Sequence, residues 1–185
     1  GRLEVGLGAG WNDEEADAYG LDLGSSLTER FDRFDEYVQV VRSLLSETTT
    51  TTFEGRHFQL TDAWCEPKPV QRPHPPIVIG GAGPRRTLPI VARYADHWNH
   101  PGGTVEMWVA ARDRVWEACA EIGRDPGEIT TSIHLLADGE NPGKAAEQAA
   151  AFAEAGVELG IVYLPPPHTP AVLEAHAEVL TPLTG

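Results

Sequence analysis

Ile77-Val78-Ile79-Gly80-Gly81-Ala82-Gly83-Pro84 decides the fold: three β-branched residues run straight into a glycine cluster, and a proline follows. A short, fully apolar run of this kind suits a central parallel strand, whose two faces are both covered. The glycines permit a tight exit, and Pro84 suits the first position of a new helix. Behind it Leu88, Val91, Ala92 and Ala95 form a buried stripe at helical spacing. One strand–turn–helix unit is thereby predicted.

The same grammar repeats outward. Upstream, Arg2 to Gly8 reads as a strand ending in Gly6-Leu7-Gly8-Ala9-Gly10, and the polar run Trp11 to Ser25 reads as a connection. Ser26 and Glu29 have the spacing of a capping box. Leu27, Phe31, Phe34, Val38, Val41 and Leu45 then give a helix one apolar face, which ends near the five threonines Thr48 to Thr52. Phe53 to Pro76 is an irregular excursion. Glu54-Gly55 is a turn signal, Phe58-Gln59-Leu60 is a candidate edge strand, and the prolines from Pro67 to Pro76 forbid a regular element. Its length makes it a candidate flap over a site. Downstream, Asp96 to Asn99 is a very short strand, and a helix from Thr104 to Ile122 carries Val105, Trp108, Val115 and Cys119. Asp125-Pro126-Gly127 is a turn, and Ile129 to Ala137 is a strand. Asn141-Pro142 caps a helix running to Ala155, where Gly156 ends it. Leu159 to Leu164 is the last strand, and Thr169-Pro170 opens a final helix through Val179.

Strand and helix alternate about five times, which means an α/β fold with a parallel sheet covered by helices. An open doubly wound sheet and a (β/α)8 barrel both satisfy this order. Five units fall short of the roughly 250 residues of a complete barrel. Gly1 is no methionine, and Leu3, Val5 and Leu7 already follow a strand pattern, so the chain is expected to be the later part of a longer protein.

The 185 residues are 41% apolar and carry 14 basic and 28 acidic side chains. A net charge of −14 argues against nucleic acid, whose phosphates need clustered Lys and Arg. Lysine occurs only at Lys68 and Lys144, so no basic membrane-surface helix is available, and no apolar run is long enough to span a bilayer. Cys65 and Cys119 suggest a reducing compartment rather than a disulfide scaffold. A cytoplasmic protein with a small-molecule partner is the expectation.

Neither glycine cluster completes a dinucleotide fingerprint, because the third glycine falls at Trp11 or at Arg86. What the second cluster offers is a helix amino terminus with free amides, a favourable dipole for an anion, and Arg85 and Arg86 in the first turn. A phosphate site and a plain tight turn both fit. Gly8-Ala9-Gly10-Trp11-Asn12 lies at another strand's carboxyl end, where such folds hold their sites. Small residues there allow a flat ring to approach, and Asn12 can donate and accept; a turn with Trp11 in the core fits equally. Asp13, Glu14, Glu15 and Asp17 read as a solvated face. His97 and His100 lack a third ligand, so no metal is expected. Asp96 and His97, adjacent in a strand, point to opposite faces and make a doubtful acid–base pair. His134 reads as a core histidine, and Tyr163, at a late strand end, reads as core packing or as a ligand contact. Nothing marks His57, His74, His168 or His176 as catalytic.

Four segments taken together resemble the luciferase-like monooxygenase family, and within it the oxidoreductases that use the deazaflavin coenzyme F420. They are Gly1 to Asn12, Pro67 to Pro76, Ile77 to Gly83 with Arg86-Thr87-Leu88, and Val91 to Asn99. The resemblance implies a (β/α)8 barrel of which this chain holds strands four to eight, as a single partial-barrel domain over 1–185 with 53–76 inserted before strand five. It implies a reduced F420, or alternatively FMN, at the carboxyl ends of the strands. Gly8, Ala9, Gly10, Trp11 and Asn12 would lie by the ring. Gly80, Gly81, Ala82, Gly83, Arg86 and Thr87 would receive the phosphate tail. His97 stands where the family has glycine, so a bulky group is expected near the site. No catalytic residue is assigned, because strands one to three would supply it.

The function so implied is an oxidoreductase or monooxygenase acting on a small organic substrate. A non-catalytic flavin-binding protein and a self-contained doubly wound phosphate-ligand domain are the rivals. A homodimer is open, with Trp108 or Trp116 serving core or interface. Gly81→Val and Gly83→Val are expected to weaken cofactor binding far more than folding.

Overall fold

Three apolar residues alternate into β1 (Val5–Leu7), and Ile77-Val78-Ile79 forms β4 (Ile77–Gly80), parallel to it with Val5 opposite Ile77 and Leu7 opposite Ile79. The computed structural model describes residues 1–46, 49–139 and 141–183. The chain divides into two compact units, Gly1–Asp96 and His97–Gly185.

In the first unit, β1 is shorter than the predicted Arg2 to Gly8. The predicted connection Trp11 to Ser25 contains a helix, α1 (Asp13–Tyr19). Only Ala16 of it is buried, so no apolar stripe announces it, but its ends are legible. The Asn12 side chain accepts from the N–H of Glu15, and Gly20 closes the helix at φ 66°. Next comes α2 (Leu27–Leu45). Ser26 accepts from the N–H of Glu29 as predicted, yet the Glu29 carboxylate returns to the N–H and hydroxyl of Ser25, one residue before the expected partner. Phe34 and Val38 are buried with Val40, whereas Leu27, in the first turn, is exposed. The helix stops before the threonine run, of which Thr48 lies outside the described residues.

Thr51, itself buried, opens β2 (Thr51–Glu54), which pairs antiparallel with β3 (Gln59–Ala63) around the Glu54-Gly55 turn. The predicted edge strand is thus half of a hairpin, and the prolines after it carry no ladder. α3 (Thr87–Tyr94) buries Leu88, Val91 and Ala92 as predicted. It starts three residues later than Pro84, because Pro84, Arg85 and Arg86 are used by the turn.

The second unit runs β5 (His97–His100), α4 (Val105–Glu121), β6 (Thr130–Leu136), α5 (Pro142–Glu154), β7 (Leu159–Tyr163) and α6 (Pro170–Leu180). β5, β6 and β7 are parallel neighbours, with Asn99 opposite Ser132 and Ser132 opposite Leu159. Thr104 and Thr169 cap α4 and α6 through their side chains, but Asn141 makes no such bond to α5. Trp98 and Trp108 stack 6.3 Å apart in the core, so Trp108 belongs to the core rather than to an interface. Five parallel strands, each leading into helix, place the chain in the α/β class of (β/α)8-barrel type.

Candidate active site

The first glycine cluster leaves β1 at its carboxyl end and opens a cavity of about 310 Å³. Gly8 and Ala9 form one wall. Arg30, Arg33, Phe34 and Tyr37 of α2 form another, and His57 and Phe58 close it from the hairpin. At Gly10 the backbone is left-handed at φ 80°, which favours glycine, and a Cβ would stand 2.9 Å from the tip of the Leu23 side chain. Gly8 differs. Its φ is ordinary, and no atom lies within 4 Å of where a Cβ would stand.

Trp11 is 87% exposed, which excludes the core reading. Asn12 has committed its carbonyl oxygen to the α1 cap at 3.1 Å, leaving only its amide N–H groups to donate. Both arginines are paired. Arg30 meets Asp13 at 3.0 Å and Arg33 meets Asp22 at 3.3 Å. The backbone N–H of Gly24, and then the Arg33 guanidinium, hold the Asp22 carboxyl below its usual range.

The second cluster, at the carboxyl end of β4, wraps one side chain. A Cβ on Gly81, at φ 120°, would stand 3.1 Å from the Thr87 methyl, and one on Gly83 would stand 2.9 Å from the Thr87 hydroxyl. Thr87 is buried by this turn. Valine at either glycine would therefore disturb the turn itself, so the expected separation of binding from folding does not hold at Gly81 and Gly83. Gly80 has open space like Gly8. The arginines are not in the first turn of the helix. Arg86 is the N-cap residue, makes no side-chain cap bond, and pairs with Asp32 of α2 at 2.9 Å. Gly83 accepts from the N–H of Leu88, so one of the amides expected to be free is used.

The remaining sequence candidates separate. Asp96 accepts from the N–H of Ile77 and lies 3.7 Å from His74, not beside His97 in function. His74 is buried; its Nε2 accepts from Arg42, and its Nδ1 donates to the Pro75 carbonyl. In the second unit His97 is buried with Nε2 2.7 Å from the Ser132 hydroxyl, which also accepts from Asn99 at 2.8 Å. His100 ends β5 and is buried, and burial pushes its imidazole below the usual range. His134 is only half-buried, with its ring 4.7 Å from Tyr163, and Tyr163 is 50% exposed. Both depart from the core reading. Burial also lowers the His134 pKa. No cluster able to hold a metal occurs among the described residues.

Sequence reasoning passed over the hairpin tip. Glu36 of α2 accepts the backbone N–H groups of Arg56, His57 and Phe58 at 2.9, 2.8 and 3.0 Å. Burial raises the Glu36 pKa, but these three donors outweigh it and hold the carboxyl below its usual range. His57 Nε2 is buried without a hydrogen-bond partner. The Glu54-Gly55 turn was the available signal, since it puts the next residues at a tip.

A family model for luciferase-like monooxygenases matches residues 1–181. Pyrimidine monooxygenase RutA of Allorhizobium ampelinum is 32% identical over 143 residues, 75% of this chain and 38% of that protein. The FMNH(2)-dependent dimethylsulfone monooxygenase of Pseudomonas putida is 30% identical over 123 residues, 66% of this chain and 33% of that protein. The chain thus spans about a third of the length of the curated relatives it matches. Among solved structures, an F420-dependent secondary alcohol dehydrogenase with an F420–acetone adduct covers all of this chain at TM-score 0.85 and 19% identity, with 71% of its own chain covered. Monooxygenase RslO1 from Streptomyces bottropensis covers 84% at TM-score 0.59 and 27% identity, with 48% of its chain covered.

Proposed function

The chain belongs to the luciferase-like monooxygenase family, and from that premise we propose that it holds coenzyme F420, with FMN as the alternative, in an oxidoreductase acting on a small organic substrate. Gly8 and Gly80 carry this reading. They follow or end the paired strands β1 and β4, and neither a left-handed backbone nor crowding within the chain calls for glycine there. Glycine costs backbone entropy, so bare backbone at both strand ends suits a ligand that must lie against it. A flat ring and a phosphate both fit such a surface.

When bound, the cofactor supplies the hydride or the electrons. The chain's own residues do the rest. Gly8 and Ala9 provide a floor without side-chain bulk, and the amide of Asn12 donates toward it. Phe34, Tyr37 and Phe58 line the cavity and exclude water. The turn from Gly80 to Gly83 presents backbone and the first turn of α3 to the phosphate. Phe53 to Pro76 serves as the inserted segment, whose tip brings His57 and Phe58 to the wall. F420 stands ahead of FMN on the resemblance of residues 1–12 and 67–99. The named substrates of the relatives, a pyrimidine and dimethylsulfone, support a small organic substrate. A cytoplasmic setting accompanies this reading, and Cys65 and Cys119 are unbridged.

Fluorescence titration of the full-length natural protein with F420 and FMN tests the proposal. F420 binds more tightly than FMN, and Gly8→Val and Gly80→Val each weaken it at least about tenfold while ligand-free melting stays unchanged. Wild-type affinity in both variants, or no binding of either cofactor, refutes it.

A further inference from the structure

A second cavity of about 340 Å³ lies on the opposite side of α2. Arg30, Arg33, Phe34 and Tyr37 face the first cavity; Phe31, Asp32, Asp35 and Glu36 face this one, as the 3.6-residue repeat requires. Its other walls are the hairpin tip, with Arg56 and His57, and the start of α3, with Arg85, Arg86 and Arg93. No glycine of the 80–83 turn lines it.

The charges in this groove do not balance. Asp32 is taken by Arg86 at 2.9 Å, and Asp35 by Arg93 at 2.7 Å. Glu36 is occupied by three backbone N–H groups. Every acid lining the cavity therefore has a partner. The guanidinium groups of Arg56 and Arg85 have neither a hydrogen bond nor an ion pair among the described residues. They approach from different elements, the hairpin and the α3 turn. His57 adds a buried Nε2 with no partner to the same wall. Four of the 14 basic residues of a chain with net charge −14 thus line one groove. Arg56 and Arg85 have no ion-pair partner, and with the Glu36 carboxylate in the same groove one positive charge is in excess.

We propose that this groove binds a compact, multiply charged anion, a phosphate or an oligocarboxylate group, between Arg56 and Arg85. Planar guanidinium forks suit either group, and the four arginines of the groove outnumber its three acids. The groove lies across α2 from the Gly8 cavity but shares His57 with it, and it borders the start of α3 that the proposed function turns toward the cofactor phosphate.

Calorimetric titration of the full-length protein at low salt, with pyrophosphate and separately with citrate, reads this site directly. At least one probe binds with sub-millimolar affinity. Arg56→Gln and Arg85→Gln each weaken it about tenfold, and Arg114→Gln, which removes the same charge from the exposed face of α4, leaves it unchanged. Binding of pyrophosphate alone assigns a phosphorylated ligand, and binding of citrate assigns a carboxylate-rich one. No binding of either probe, wild-type affinity in Arg56→Gln or Arg85→Gln, or an equal loss in Arg114→Gln overturns the proposal. The cofactor reading is tested separately, by F420 titration of Gly8→Val and Gly80→Val, neither of which lines this groove.

Discussion

Glu36 shows what one side chain can organise. Its two oxygens collect three backbone N–H groups that would otherwise be left at the hairpin tip, and both cavities share that tip through His57. In Glu36→Gln, an amide nitrogen must face an N–H donor, so at least one bond becomes a repulsion. The expected cost is about 1–2 kcal/mol, discounted for the partial exposure of the group. Faster hydrogen exchange confined to Arg56–Phe58 and the strands around it is the measurement that checks this. Gly55 reports on the same carboxylate. A Cβ there would collide with the Glu36 side chain and the Phe53 ring, and Glu36 is pinned and cannot step aside. Gly55→Ala is therefore expected to reproduce the exchange pattern of Glu36→Gln, and a silent Gly55→Ala would contradict the packing described. Nothing in the sequence around Glu36 marks it, because its partners lie 20 to 22 residues away.

At the level of elements, the caps discriminate. Thr104 accepts from the N–H of Met107 at 3.3 Å, whereas Asn141 makes no side-chain bond to its helix. Thr104→Ala should lower stability by about 1 kcal/mol, and Asn141→Ala should leave it nearly unchanged. Chemical denaturation of the two variants separates them, and equal losses would mean that the cap assignments are wrong. The elements themselves were largely legible. Periods of two and 3.6, read with Gly and Pro punctuation, located five parallel strands and most helices to within a few residues. α1 escaped because only Ala16 faces inward, so periodicity had nothing to register, although Asn12 and Gly20 carried the cap signals. α3 begins late because the glycine turn consumes Pro84 to Arg86 before helical bonding starts.

For the molecule as a whole, the two units are expected to respond differently to acid. In the second unit His100 is buried and its folded pKa lies below the unfolded value near 6.5. The unfolded chain therefore takes up a proton first, and stability is lost as the pH falls from about 6.5 through the folded pKa. Half-buried His134 adds in the same direction. In the first unit, Glu36 has a folded pKa below the unfolded value near 4.3. Its contribution is complete above that value and is lost as the pH falls through the folded pKa. Hydrogen exchange followed from pH 7.5 to 5 should show the strands around His100 losing protection. His100→Asn should flatten that transition, and an unchanged loss in the variant would count against this account.

The α/β class, the order of its elements and the two glycine-marked strand ends were determined by sequence alone. These depend on side-chain size, branching and backbone freedom within a few consecutive residues. Tertiary structure alone decided how those ends are used. It showed that Gly81 and Gly83 serve Thr87, while Gly8 and Gly80 leave backbone bare. It turned Arg86 toward Asp32, 54 residues away, and His97 toward Ser132, 35 residues away. It also left Arg56 and Arg85 in one groove without an ion-pair partner. Such pairings depend on which elements the packed core brings together, and no local pattern records that distance.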